Sequence, residues 1–376
     1  MYFLNGDRIY INPSKACRTL DDQLQNCLQQ ITKINSGKKV FKLNFFVDTT
    51  NKDDYLELQQ KIQNEVNKLF FDKILQSVIA QPPLTCKIIV EACFYDTDLW
   101  ETAFISEGTN GVALIQNEEC KVLIGHVQSY SGESCKQNSE KAFSDLKSIF
   151  DITGFPINSI VRQWNYLENI LGFDGQEQRY QAFNNSRTSI YGNLFDGTGF
   201  PAATGIGMNQ GGVIIEFVAI QSAHLKTVAI NNPVQIAAHT YSAKVLEGDN
   251  CTLKTTPKFE RARYLELFGK KIIFISGTAS IRGEQTVGVG NPAEQTEVTI
   301  DNIKQLYSKE ILEKISGEQL NPKYGHARVY VKDRNDFAII RKTFRNHFGN
   351  LPVVYIIADI CRNNLLVEIE GKVILE

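Results

Sequence analysis

The sequence predicts an α+β protein built from three tandem units, each a mainly antiparallel sheet with helices packed on one side. Three observations predict it. A short apolar run carrying one Glu near its end occurs three times, as IIVEA at 88–92, VIIEF at 213–217 and LLVEI at 365–369. The patterns before each run come in one order: helix, strand, helix, strand. A carboxylate in a buried strand is costly unless it is paired or used, so its return at matching places argues for a repeat rather than chance.

The elements follow from periodicity. Apolar residues spaced three and four apart mark a first helix at 19–31, 139–150 and 292–310, and a second at 53–70, 177–191 and 335–348. Runs of β-branched and aromatic residues mark strands between them at 40–48, 160–167 and 327–333. A further apolar run at 77–80, 202–208 and 352–360 precedes each Glu strand. The second and third units open with one extra strand, at 121–125 and 271–277. The boundaries fall near residues 96 and 222, giving units 1–95, 96–222 and 223–376. Polar stretches at 129–137 and 248–258 read as loops.

Composition narrows the function. The chain has 376 residues, 43% apolar and 22% charged, with net charge −2, which suits two or three globular units with ordinary cores. There is no basic block, so no nucleic-acid partner is expected. No apolar run is long enough to cross a bilayer and the first residues lack a signal pattern, so no membrane partner and a cytoplasmic location are expected. Eight Cys are spread without CxxC or zinc spacing and read as reduced thiols. Five His form no HExxH or other close pair, so no metal site is expected. The glycine-rich stretch 197–212 lacks GxxxxGK[ST] and leads into a strand, so it reads as turns rather than a phosphate loop. No cofactor is expected. In GVGNP (288–292), Asn291 and Pro292 read as the cap and first position of the next helix.

The arginines carry more weight. Arg179 and Arg187 lie on one helix, and a 3.6-residue period puts Arg187 near the face of Tyr180, Phe183 and Asn184. Arg261 and Arg263 follow Pro257 and Phe259, and Arg362 adjoins Cys361 just before the third Glu strand. Guanidinium groups hold carboxylates bidentately. For any one of these taken alone, a solvated surface charge is the simpler reading.

The stretch FISGTASIRGEQTVGVGNPAEQTEVTIDNI (274–303), with ARVYVKD and LLVEIEG after it, resembles the RidA/YjgF family through its SGTAS turn, Gln295 and Thr299, and its closing VEIE strand. That family has a small α+β fold that assembles as a trimer with clefts between subunits. The resemblance implies three RidA/YjgF-like (chorismate mutase-like) units in tandem, a monomer that is a covalent pseudo-trimer. RQWNYLENI (162–170), QRYQAFNNSR (178–187), FPAATGIG (200–207), NPVQ (232–235), PKFERA (257–262), SGTASI (276–281) and ADICRNNLLVEIEG (358–371) resemble, more closely, the chorismatases, RidA-like hydrolases that cleave the enolpyruvyl ether of chorismate. This likeness runs from about residue 120 to the C-terminus. Two departures stand out. Chorismatases usually show Gly-His after SGTASI, where this chain has Gly283–Glu284. After NPVQ, His239 replaces a Tyr and Ser242 a Pro.

The resemblance implies cleavage to pyruvate plus 3-hydroxybenzoate, or to a dihydroxycyclohexadiene carboxylate. The first unit would be degenerate, the second would contribute substrate-binding residues and the third would be catalytic. Arg187 and Arg261 would hold the two carboxylates of a chorismate-like dianion, with Tyr180, Tyr241, Ala279 and Arg362 completing the pocket. Glu368 sits in an apolar strand that would raise its pKa, and is the expected proton donor, with Glu91 and Glu216 as its counterparts in the other repeats. Cys361 either steers the product branch toward 3-hydroxybenzoate or fills space in the core. Two other functions fit the residues: a RidA-like enamine or imine deaminase, and a non-catalytic protein binding small carboxylates.

Overall fold

The computed structural model describes residues 8–34, 37–71, 74–242 and 254–376; part of the expected 248–258 loop lies outside them. Three sheets organise the chain. The first comprises β1 (Arg8–Ile11), β2 (Lys39–Val47), β3 (Leu75–Ile79) and β4 (Ile88–Tyr95), in the order β1-β4-β2-β3. The second contains β5 (Glu101–Glu107), β6 (Asn110–Gln116), β7 (Cys120–Ser129) and β8 (Ile160–Glu168). A small ribbon, β9 (Phe173–Asp174) with β10 (Glu177–Gln178), leads on to β11 (Ala202–Met208) and β12 (Val213–Ser222), and the sheet order is β11-β8-β12-β7-β6-β5. The third contains β13 (Lys226–Ile230), β14 (Ala262–Leu267) and β15 (Lys270–Ala279). After the ribbon β16 (Ile281–Arg282) and β17 (Gln285–Thr286) come β18 (Pro322–Val331), β19 (Val353–Ile357) and β20 (Val367–Leu375), in the order β13-β14-β15-β20-β18-β19. In each sheet one pair is parallel (β2 with β3, β8 with β11, β18 with β19) and the rest are antiparallel.

Helices cover one face of each sheet. These are α1 (Leu20–Thr32) and α2 (Lys52–Phe70) on the first, α3 (Cys135–Thr153) and α4 (Arg179–Tyr191) on the second, and α5 (Pro292–Gln305), α6 (Lys309–Ser316) and α7 (Phe337–Phe348) on the third. Local chemistry sets their starts. Thr19 and Asp22 form a capping box at α1, and Asn291 caps α5 with Pro292 as its first residue, as expected. The structure departs from expectation in three places. The helix expected over 292–310 stops at Gln305 and a separate α6 follows. The second and third sheets open with three strands rather than one; their edge strands β5 and β13 lie largely outside the buried core and carry a weaker apolar signal. Cys135 and its neighbours, expected in a loop, begin α3.

Both faces of each sheet are buried. Along β12, Val213, Ile215 and Phe217 face the helices, while Ile214, Val218 and Ile220 join a core shared by all three sheets. Strands buried twice over read as unbroken apolar runs rather than alternating ones.

The inward faces carry charge. Each of β2, β8 and β18 has a bulge against β4, β12 and β20, just before Lys42, Arg162 and His326 respectively. Two residues on, Asn44, Trp164 and Arg328 stand opposite Glu91, Glu216 and Glu370. The true counterpart of Glu91 and Glu216 is therefore Glu370, not Glu368. Apolar pattern alone could not separate two glutamates that share one strand face. Each of these three carboxylates is served by the preceding sheet in a cycle. Lys42 lies 3.1 Å from Glu216, with Asn44 Nδ2 at 3.3 Å. Arg162, with Trp164 Nε1 at 2.8 Å, serves Glu370. Arg328 donates to both oxygens of Glu91, at 2.7 and 3.0 Å, and reaches Glu370 at 3.3 Å. Glu368 has Ile89 and Ile214 as register counterparts, opposite Phe46 and Tyr166 where Glu368 faces Tyr330.

Truncating one partner of a buried ion pair strands the other charge, typically at a cost of about 3–5 kcal/mol. Arg328→Ala, which strands Glu91 and weakens the hold on Glu370, is expected to lose about that much in urea unfolding. A loss within the usual surface-substitution range would show that the cycle does not hold the sheets together.

Candidate active site

Glu368 enters the cleft from the second position of β20, between Ala279 of β15 and Tyr330 of β18. The β15–β20 register shifts between Ile275 and Thr278, and Gly277 lies in that irregularity. A Cβ at Gly277 would sit 2.0 Å from Glu368 Oε1, so only glycine leaves room for the carboxyl. Gly205 on β11 does the same for Tyr180, whose ring would meet an added Cβ at 3.0 Å. Glycine at these two positions hollows out the site.

The electrostatics divide two neighbouring acids. Glu370 is met by Arg162, Trp164 and Arg328, and Thr204 Oγ1 also donates to it. Glu368 is only 4% exposed. Burial pushes its pKa up to about 8, and the negative Glu370 adds to the rise, while Arg162 and Arg261 oppose it. Glu370 is surrounded by cations and donors, whereas Glu368, without them, is left protonated near neutrality.

Around Glu368 lies a cleft of about 710 Å³ between the second and third sheets. Tyr180, Tyr241, Arg261, Ala279, Cys361 and Arg362 line it together with Glu368, so seven of the eight expected site residues meet in one place. Arg187 does not line it. One turn beyond Asn184 on α4, it is 2% exposed, donates to Asn184 Oδ1 at 2.5 Å and stands behind that lining side chain. The helical period put Arg187 on the correct face but could not show that Asn184 comes between it and the cleft.

The cations here lack anions. Arg261 is 4% exposed and donates to the Ile236 carbonyl at 2.8 Å and to the Tyr241 hydroxyl. Arg362 donates to the Glu284 carbonyl at 2.7 Å. The Tyr241 ring lies between them, 5.5 Å from the Arg261 guanidinium and 5.4 Å from that of Arg362. Among the described residues no carboxylate forms a salt bridge with Arg187, Arg261 or Arg362, and Nε of Arg187 and of Arg261 is buried without a hydrogen-bond partner. A buried guanidinium with no counter-ion is costly, and an anionic ligand would relieve that cost.

The two unusual positions in the sequence meet. Glu284 accepts from Ser242 N at 3.0 Å and from Ser242 Oγ at 2.7 Å, which fixes the backbone beside Tyr241. His239 packs on Phe200 with ring centroids 5.4 Å apart. The sequence reading did not single out Gln178, Gln181, Asn184, Phe259, Gly205 or Gly277 as site residues, though all line the cleft. All are polar, aromatic or glycine positions inside quoted motifs that periodicity alone cannot aim; Asn184 was placed on the Arg187 face, and the role of Gly277 is seen only through its distance to Glu368.

Fold and site define a three-sheet α+β protein with one cation-lined cleft around a neutral carboxyl. Residues 98–219 match the model of the FkbO/Hyg5-like chorismatase N-terminal family. A chorismatase of Streptomyces rapamycinicus is 34% identical, over 67% of this chain and 74% of its own length. A 3-hydroxybenzoate synthase of Streptomyces hygroscopicus is 32% identical, over 58% of this chain and 64% of its own. A chorismatase crystal structure superposes with a TM-score of 0.71 at 23% identity, covering 97% of this chain and 98% of that one. The chain belongs to the chorismatase family. Among the described residues no helix is long and apolar enough to cross a membrane.

The raised pKa has a stability consequence of definite sign. Unfolded, Glu368 loses its proton near its ordinary value of 4.5, whereas folded it keeps it until about 8. The folded state therefore binds the extra proton, and the stability present below pH 4.5 is lost as pH rises toward 8. Glu368→Gln has no such proton, so its stability relative to the parent should climb across that interval in a urea series. A pH-independent difference would place the carboxyl's pKa near its ordinary value.

Proposed function

We propose that this chain is a chorismate-cleaving enzyme that releases pyruvate and 3-hydroxybenzoate, with Glu368 as the proton donor. The observation that carries this reading is the pairing, in one cleft, of a neutral buried carboxyl with guanidinium groups that have no counter-ion. Chorismate is a dianion with an acid-labile enol ether. Arg261 and Arg362 line the cleft and would take its carboxylates, while Arg187 holds Asn184 toward the ligand and adds positive potential from behind. Glu368 would deliver its proton to the terminal methylene carbon of the enolpyruvyl group. Glu370, two residues away and paired with Arg162 and Arg328, lies beside it, and a carboxylate there would favour the oxocarbenium ion that forms. Capture of that ion by an oxygen nucleophile gives a hemiketal, which collapses to pyruvate. Pyruvate and 3-hydroxybenzoate together hold the atoms of chorismate, so aromatisation returns whatever water the cleavage consumes.

The same reading covers organisation. The three sheets lie within 8–95, 101–222 and 226–375, which supports units 1–95, 96–222 and 223–376. It also supports a monomer whose one working cleft is built within a single chain. Seven free cysteines among the described residues suit a reducing cytoplasm.

Glu368→Gln keeps the shape and hydrogen bonding of the side chain but has no transferable proton. Pyruvate release from chorismate, followed by a coupled reductase, should fall by about 100-fold or more, the usual scale of general acid catalysis. Binding of chorismate by calorimetry should persist. Turnover at the parent rate would assign the acid elsewhere.

Cys361 lines the cleft and is only half-buried, so it is placed to touch the ring as aromatisation proceeds. Cys361→Ala should shift product from 3-hydroxybenzoate toward the non-aromatic diol while pyruvate continues to form, which chromatography of the two ring products reads directly. An unchanged ratio would make Cys361 a packing residue.

A further inference from the structure

A second cleft repeats the first, element for element, between the first and second sheets. There α2 stands where α4 stands in the active cleft, β3 where β11 stands, β7 where β15 stands and β12 where β20 stands. Ile214 occupies the position of Glu368. The space is about 770 Å³, as large as the active cleft. That figure, like the one for the active cleft, includes the solvent at the mouth.

Its chemistry is the reverse of the active cleft. No side chain lining it is acidic or basic except His126, and the nearby buried Lys42 is committed to Glu216 at 3.1 Å. Amides line both clefts, but this one has no guanidinium beside them: Gln59, Gln63 and Asn67 come from α2, Gln76 from β3 and Gln128 from β7. His126 Nε2 lies 2.7 Å from the Thr109 carbonyl, which can only accept, so Nε2 carries the proton and Nδ1 is an acceptor. Burial lowers the His126 pKa to about 4, so the ring is neutral at physiological pH. Both His126 Nδ1 and Gln76 Oε1 are buried acceptors without a hydrogen-bond partner. A dianion would find no cation here, whereas a neutral molecule offering N–H donors and a carbonyl would meet both kinds of group.

We propose that this cleft is a second small-molecule site, selective for uncharged ligands of the primary-amide or lactam class and closed to the anions that the active cleft takes. The proposal stands apart from the identity of the reaction catalysed next door.

Benzamide and benzoate test it as a matched pair, equal in shape and different in charge. In saturation-transfer NMR on the full chain, benzamide should receive magnetisation from the parent. That signal should disappear in Gln63→Trp, which fills the cleft from a half-buried helix position, and be retained in Arg261→Ala. Gly111→Leu provides a second block from the opposite wall, since a Cβ there already lies 3.1 Å from Leu75 Cδ2 and 3.6 Å from His126 Cε1. Thermal melts matching the parent show that each variant has folded. Benzoate should lose its signal in Arg261→Ala and keep it in Gln63→Trp. The proposal is overturned if folded Gln63→Trp and Gly111→Leu both still bind benzamide. It is equally overturned if benzamide gives no signal with the parent, if Arg261→Ala abolishes it, or if Gln63→Trp removes benzoate as well.

Discussion

The cycle of buried ion pairs where the three sheets meet is the constraint from which the rest follows. Glu91, Glu216 and Glu370 each lie on an inward strand face, and each is paired with a cation from the preceding sheet, with Arg8 and Arg328 adding pairs to Glu91 and Glu370 within their own sheets. A buried charge tolerates little displacement of its partner. The cycle therefore fixes how the sheets stand against one another, and with that the shape of the clefts between them. Apolar packing in the shared core supplies the larger share of the favourable free energy but is less particular about register.

The same network prepares the chemistry. Arg162 and Trp164 come from the second sheet and are spent on Glu370. Two residues away, Glu368 shares the burial without those partners and faces the negative charge they stabilise. One strand thus holds two inward carboxyls in different surroundings, Glu370 paired with cations and Glu368 with its pKa raised by burial, an arrangement that suits a proton donor working near neutral pH. Across the cleft the situation is inverted: Arg187 and Arg261 are as buried as Arg162 but are met by neutral oxygens of Asn184, Ile236 and Tyr241. Charge is balanced in the centre and left unbalanced where a ligand is to sit.

Degeneration of a repeat follows from single positions. The register that places Glu368 on β20 places Ile89 and Ile214 on β4 and β12. The cleft beside Ile214 is of similar extent and keeps amides in its lining, but lacks the guanidiniums of the active cleft. Similarly, Ser242 and Glu284, which look like two separate losses in the sequence, form one hydrogen-bonded clasp beside Tyr241.

Much of this was legible in the chain itself. The order of helices and strands could be read because local periodicity and caps such as Thr19 and Asn291 act within a few residues. Glu368, Arg261, Tyr180, Tyr241, Ala279, Cys361 and Arg362 could be named from motifs and from the cost of burying a carboxylate. Three things needed the tertiary structure. Glu368 and Glu370 lie on one strand face, so only the bulges preceding Lys42, Arg162 and His326 reveal which of them repeats Glu91 and Glu216. Arg187 shares a helix face with Asn184, and only packing shows which of them reaches the cleft. Gly277 is one residue of the SGTAS turn, with no assigned role, until the Glu368 carboxyl is seen 2.0 Å from where its side chain would begin. Sequence determines what is set by neighbours along the chain, whereas burial of Glu368 and the shape of the cleft are set by groups distant in the chain that meet only on folding, such as Gly277 with Glu368 and Arg162 with Glu370.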